Sequence, residues 1–134
     1  MARPKDSTKL NDELQEHIVK TLRAGNYIET AAAYAGVSKQ SIYNWMHLGR
    51  EALKDEKPTK EQLVYVNFLD AVERALAESE IRDVMTIAQA AELGDWRAAA
   101  WRLERKCMQR WGPNMKVEHK GDINLHFDER YKDI

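Results

Sequence analysis

The chain has one cysteine, Cys107, so it forms no internal disulfide, and its histidines do not stand at a spacing that would complete a zinc site with that thiol. No apolar run approaches the roughly 20 residues that cross a bilayer, and the opening MARPKDSTK has no apolar core of a secretory signal. A reducing, cytoplasmic setting is the expectation. Phosphate-cradling GxxxxGK[ST] and nucleophile-bearing GxSxG patterns are both missing. The four histidines, His17, His47, His119 and His126, do not gather with acids at a catalytic spacing. Carboxylates are abundant, but they sit where solvated helix faces would carry them. No enzyme activity, cofactor or metal is therefore expected.

A large excess of positive charge is missing too. Across 134 residues, 21 Lys and Arg oppose 22 Asp and Glu, for a net charge of −1. The balance shifts along the chain. Residues 1–60 hold ten basic against eight acidic side chains, residues 61–111 seven against nine, and residues 112–134 four against five. Non-specific affinity for DNA comes from phosphate neutralisation. One copy of this chain makes few such contacts, so useful DNA affinity would require several linked copies. The content, 43% hydrophobic and 32% charged, suits a folded, helix-rich protein of one or two small domains.

The most informative stretch is residues 28–47, IETAAAYAGVSKQSIYNWMH, which reads as a helix-turn-helix. A short Ala-rich helix spans Ile28 to Ala35. Gly36 supplies the φ > 0 that a sharp turn needs, Val37 plugs the corner, and Ser38 caps the next helix. Two helices crossing at about 90–120° touch at few points. Those points carry Ala31, Ala32, Ala35, Val37, Ile42 and Trp45, and a larger side chain at Ala32 would push the helices apart. Lys39, Gln40, Tyr43 and Asn44 fall on the opposite face. Gln and Asn bond adenine edges bidentately, and Lys reaches guanine or phosphate. The same pattern also fits a helical pair whose polar residues simply face water.

Around this pair, residues 1–9 read as a flexible basic arm in which Arg3, Lys5 and Lys9 are placed to touch a DNA backbone or to be merely solvated. Asn11 caps a first helix to about Ala24, with the stripe Leu14, Ile18, Leu22 and Val19 beside it. His17 next to this stripe reads as a surface histidine. Residues 10–50 then form one three-helix domain and residues 51–58 a mixed-charge linker. Thr59 and Gln62 have capping-box spacing. From there to Leu93 no proline or glycine intervenes, which predicts a helix of about 50 Å at 1.5 Å per residue. Its apolar stripe weakens at Glu78 to Glu80, leaving room for a break. Gly94 and Asp95 close it and cap a second helix, Trp96 to Arg110, stopped by Gly112 and Pro113. Residues 59–112 thus read as a helical hairpin. Three of the four Trp lie in its short arm, more aromatic surface than one hairpin covers. Leu69, Val72, Leu76, Trp96, Trp101, Leu103 and Trp111 are the candidate oligomerisation residues. Between 113 and 127, Met115, Val117 and His119 alternate with polar residues, as do Ile123, Leu125 and Phe127, the period of one or two short strands. An isolated strand needs pairing, here with neighbouring subunits. Residues 128–134 read as a charged tail.

Two stretches, AGNYIETAAAYAGVSKQSIYNWMHLG at residues 24–49 and GDWRAAAWRLERKCMQRWG at residues 94–112, resemble the small terminase subunits of tailed bacteriophages, and the likeness runs from about Leu10 to Phe127. Cys107 and Met108 depart from it, standing where an aromatic residue and a proline are expected. The resemblance implies a mainly α fold in which N-terminal helix-turn-helix domains rim a ring. Central hairpins build that ring and C-terminal strands form a shared intersubunit barrel. It implies a nonamer-like homo-oligomer in the host bacterial cytoplasm, outside the mature virion, that recognises a packaging site on double-stranded viral DNA. The ring would recruit and regulate the large terminase subunit, which holds the ATPase and nuclease. A head-to-tail interface whose rotation closes produces such a ring. Lys39, Gln40, Tyr43 and Asn44 are the residues expected at bases or phosphates, with Ser38 and Arg50 at the DNA backbone. Two alternatives stay open: a dimeric helix-turn-helix regulator or transposase-associated head, and an assembly protein that no longer binds DNA.

Overall fold

The computed structural model describes residues 9–113. The basic arm expected at the start, the strand segment expected to 127 and the tail lie outside the described residues, save Lys9 and Pro113. The protein is mainly α, as expected. In chain order the helices are α1 (Asp12–Arg23), α2 (Ile28–Ala35), α3 (Lys39–Ala52), α4 (Lys60–Glu92), α5 (Trp96–Lys106) and α6 (Met108–Trp111). None of these helices is long and apolar enough to cross a membrane.

The starts of α1, α3, α4 and α5 each carry a side-chain cap, while α2, entered at Tyr27, has none. Asn11 Oδ1 accepts from the Leu14 amide at 2.8 Å, Ser38 Oγ from the Ser41 amide at 3.1 Å, and Asp95 Oδ1 from the Arg97 amide at 3.0 Å. Each bond satisfies one of the orphan amides of a first helical turn. At α4 the box is reciprocal: the Thr59 amide donates to Gln62 Oε1 at 2.8 Å, and the Gln62 amide to Thr59 Oγ1 at 3.1 Å. Gln62 Nε2 also reaches back to Asp55 Oδ2 at 2.8 Å, tying the connection to the helix it precedes.

Two compact units meet within α4, the first ending at Thr86 and the second beginning at Ile87. The division therefore does not fall at residues 51–58. The reason is packing. Phe68, Leu69, Val72 and Ala75 of α4 are buried in one core with Ile18, Val19 and Leu22 of α1, Ala31 and Ala32 of α2, Val37 of the turn, and Ile42, Trp45 and Met46 of α3. Without α4 the α1–α3 domain would expose that surface. Phe68 is the largest fully buried side chain, and it meets Trp45 edge to face with ring centroids 5.6 Å apart. The two helices also approach closely at Gly49, buried inside α3. A Cβ there would lie 2.5 Å from the Tyr65 carbonyl oxygen and 3.0 Å from the Leu69 Cβ.

No break occurs at Glu78 to Glu80. The apolar stripe weakens because α4 there meets the polar end of α1. Glu78 pairs with Arg23 at 2.8 Å, Arg82 Nη2 donates to the Arg23 carbonyl at 2.8 Å, and Ser79 is buried opposite Gly25. Arg82 thus serves a carbonyl that a helix terminus leaves unpaired, where a cation is also favoured.

In the second unit α4 ends with Gly94 at φ 103. The Asp95 amide reaches the Ala90 carbonyl at 3.0 Å and the Gly94 amide that of Ala91 at 3.1 Å, the paired bonds of a Schellman stop. The helix expected from Trp96 to Arg110 is divided at Cys107, whose φ of −116 and ψ of 53 leave the helical region. Its amide still bonds the Leu103 carbonyl, but its own carbonyl accepts from Arg110 and Trp111 at 3.1 and 2.9 Å, opening the short α6. Among the described residues of this unit none is buried.

Candidate nucleic-acid interface

The α2–α3 corner owes its rigidity to the three residues between the helices. Gly36 takes φ 79, a conformation costly for any residue with a Cβ. The Val37 amide then reaches the Ala32 carbonyl at 3.0 Å, and the Val37 side chain is buried in the core. Ser38 ends the turn as the cap of α3 and also lies 3.0 Å from Ser41 Oγ. Its hydroxyl is therefore engaged in structure.

Beyond that cap, α3 divides cleanly. Ile42, Trp45, Met46 and Gly49 are buried, while Lys39, Gln40, Tyr43, Asn44, His47 and Arg50 are exposed. Helical spacing places residues 40, 43, 44 and 47 side by side on the outward face. Lys39 opens the first turn. Arg50 sits in the last turn, about 16.5 Å further along at 1.5 Å per residue, where a cation suits the helix C-terminus. The expected set thus lies on one helix, with Ser38 at its entry and Arg50 near its exit. His47 was not among the expected contacts. The signal for it was available, since it follows Tyr43 by four residues and Asn44 by three.

Tyr43 is not idle. Its hydroxyl donates to Glu29 Oε1 of α2 at 2.8 Å. This bond holds the Glu29 carboxyl below the usual carboxylate range, helped by a backbone hydrogen bond and by the charge of Lys39. The same bond, with burial and the Glu29 charge as lesser causes, raises the Tyr43 phenol above its usual value. Glu29 is thus a member of this surface that the pattern of α3 alone did not reveal. The opposite edge of α2 carries Tyr34, which stacks on His17 of α1 with ring centroids 4.9 Å apart.

The candidate oligomerisation residues separate into two groups. Leu69 and Val72 are buried in the core of the first unit and Leu76 is packed against it, which occupies these three within the chain. Trp96, Trp101, Leu103 and Trp111 remain 73%, 47%, 40% and 52% exposed. Of these, Trp101 carries the Arg105 guanidinium 4.0 Å over its ring. Comparison of the chain with known protein families, with curated proteins and with solved structures returned no match.

Proposed function

We propose that this chain is a non-enzymatic DNA-recognition subunit of the kind that small terminase subunits represent. In this reading α2 and α3 are a helix-turn-helix, and α3 reads a packaging site on double-stranded viral DNA in the host cytoplasm. The chain works as a ring-like homo-oligomer built through the region after α4, with pairing of the C-terminal segment, and it recruits and regulates a large ATPase–nuclease subunit. The observation that carries the reading is the division of α3. Its inner face is fixed by Ile42, Trp45 and Met46 in the core, while Lys39, Gln40, Asn44 and His47 stand outward together. A rigid helix presenting adaptable donors and acceptors is what major-groove readout requires.

Assembly is supported by the surface of the second unit. Trp96, Trp101, Leu103, Met108 and Trp111 are exposed within a short stretch, and large exposed apolar clusters mark interaction surfaces. It is supported also by charge, since a chain of net charge −1 gains usable DNA affinity by linking copies. The test is the double substitution Lys39→Ala with Asn44→Ala. Specific binding to the packaging site should disappear while the native mass of the assembly is unchanged. Full retention of site-specific binding would reject the assignment of α3. A dimeric mass with a palindromic footprint would move the reading to a two-fold regulator.

A further inference from the structure

One residue proposed to meet DNA already serves an anion of this chain. Tyr43 donates its hydroxyl to Glu29 at 2.8 Å, and Lys39 is near enough for its charge to favour the ionised Glu29 carboxyl. Glu29 is exposed in the first turn of α2, and the Tyr43 bond fixes it beside the outward face of α3. A phosphodiester presents the same chemistry to the Tyr43 hydroxyl: a singly charged, exposed oxygen that accepts its hydrogen bond. The fold has little need of the arrangement. An acid in the first turn of a helix is favoured by the helix dipole without a side-chain partner, and exposed charged contacts add little to stability.

We infer that the Glu29 carboxylate occupies the place of a DNA phosphate oxygen on the recognition surface, so that duplex binding exchanges Glu29 for phosphate at the Tyr43 hydroxyl. This inference rests on the DNA-binding reading above. Its consequence is a weaker hold on any duplex, because phosphate contacts must compete with an anion already in place. Glu29 thereby sets the strength of phosphate-borne binding from α2 rather than from α3.

The substitution Glu29→Gln keeps an acceptor for Tyr43 and removes the charge. The full chain is titrated onto a short random-sequence duplex by fluorescence anisotropy over a series of salt concentrations. Random-duplex affinity at low salt should rise about fivefold, the scale of one like charge removed a few ångströms from phosphate in water. The slope of log K against log salt should steepen by about one, for one more phosphate neutralised. Adding Lys39→Ala to Glu29→Gln should erase both gains. If wild type binds the duplex and Glu29→Gln matches it in affinity and slope, the inference is overturned and the DNA-binding reading stands. If wild type binds no duplex at any salt, both are overturned.

Discussion

Gly49→Ala is the sharpest test of the first unit, because two effects oppose each other and the geometry decides between them. Gly49 lies inside α3, where exchange to Ala favours the helix by about 1 kcal/mol in the absence of contacts. Here the added methyl meets the Tyr65 carbonyl oxygen at 2.5 Å and the Leu69 Cβ at 3.0 Å. Ordinary carbon–oxygen contact needs roughly 3.2–3.5 Å, so α3 and α4 must separate by up to about 1 Å, and interiors packed to crystal density do not yield that freely. The obstructing oxygen belongs to the backbone of α4 and has no rotamer to escape into. Overpacking of this kind costs about 1–3 kcal/mol in addition to cancelling the propensity gain. The net expectation is a loss of about 1–3 kcal/mol, or a fall in Tm on the order of 5–20 °C for a unit of this size. Gly49→Val should lose more, since a branched side chain adds volume and lowers helix propensity. Thermal unfolding followed by circular dichroism at 222 nm reads the difference directly. An unchanged or raised Tm for Gly49→Ala would refute the close crossing of α3 and α4.

Phe68→Ala removes the largest fully buried side chain and should cost about 3–5 kcal/mol, enough to leave α1–α3 largely unfolded at 37 °C in a urea or thermal titration. The Tyr43–Glu29 bond gives a pH signature at both ends. Glu29 has a lowered carboxyl pKa, so its contribution is present above the unfolded carboxylate value and is lost as pH falls through the lower folded one. Tyr43 has a raised phenol pKa, so its contribution is present below the usual tyrosine value and is lost as pH rises through the higher folded one. Replacing Glu29 by Gln should move the Tyr43 titration, read by absorbance at 295 nm or by NMR, down toward the ordinary tyrosine range. Trp101→Ala with Trp111→Ala should lower the native mass by light scattering while leaving the first unit's melt unchanged, because neither side chain belongs to its core; an unchanged mass would move the interface elsewhere.

Much of the helical layout was legible because its signals are short-ranged. Asn11, Ser38, Thr59 and Asp95 each act on an amide two or three residues ahead. The positive-φ glycines Gly36 and Gly94 act within one turn behind them. The periodic burial of Ile18, Leu22, Ile42 and Trp45 was legible for the same reason, since helical spacing alone assigns a face. The break at Cys107 was not, because neither glycine nor proline nor a capping side chain marks it. The outward set Lys39, Gln40 and Asn44 could be read as a face, but its neighbour Glu29 could not, since it stands fourteen residues before Tyr43 on another helix.

By itself the sequence determined most helix starts and stops, the division at Cys107 excepted, and which stripe of each helix is apolar, since those depend on propensity, caps and period over a few residues. Only the tertiary structure decided which stripe meets which. Leu69 and Val72 look identical, along the chain, to residues of an intersubunit seam, yet they complete the core beneath α1–α3. Glu78, Ser79 and Arg82 look like a weakness in a helix, yet they receive the end of α1 some 55–59 residues away. An apolar or charged side chain states that it needs a partner. The partner itself is chosen by the packing of the whole chain, through contacts that no local pattern encodes.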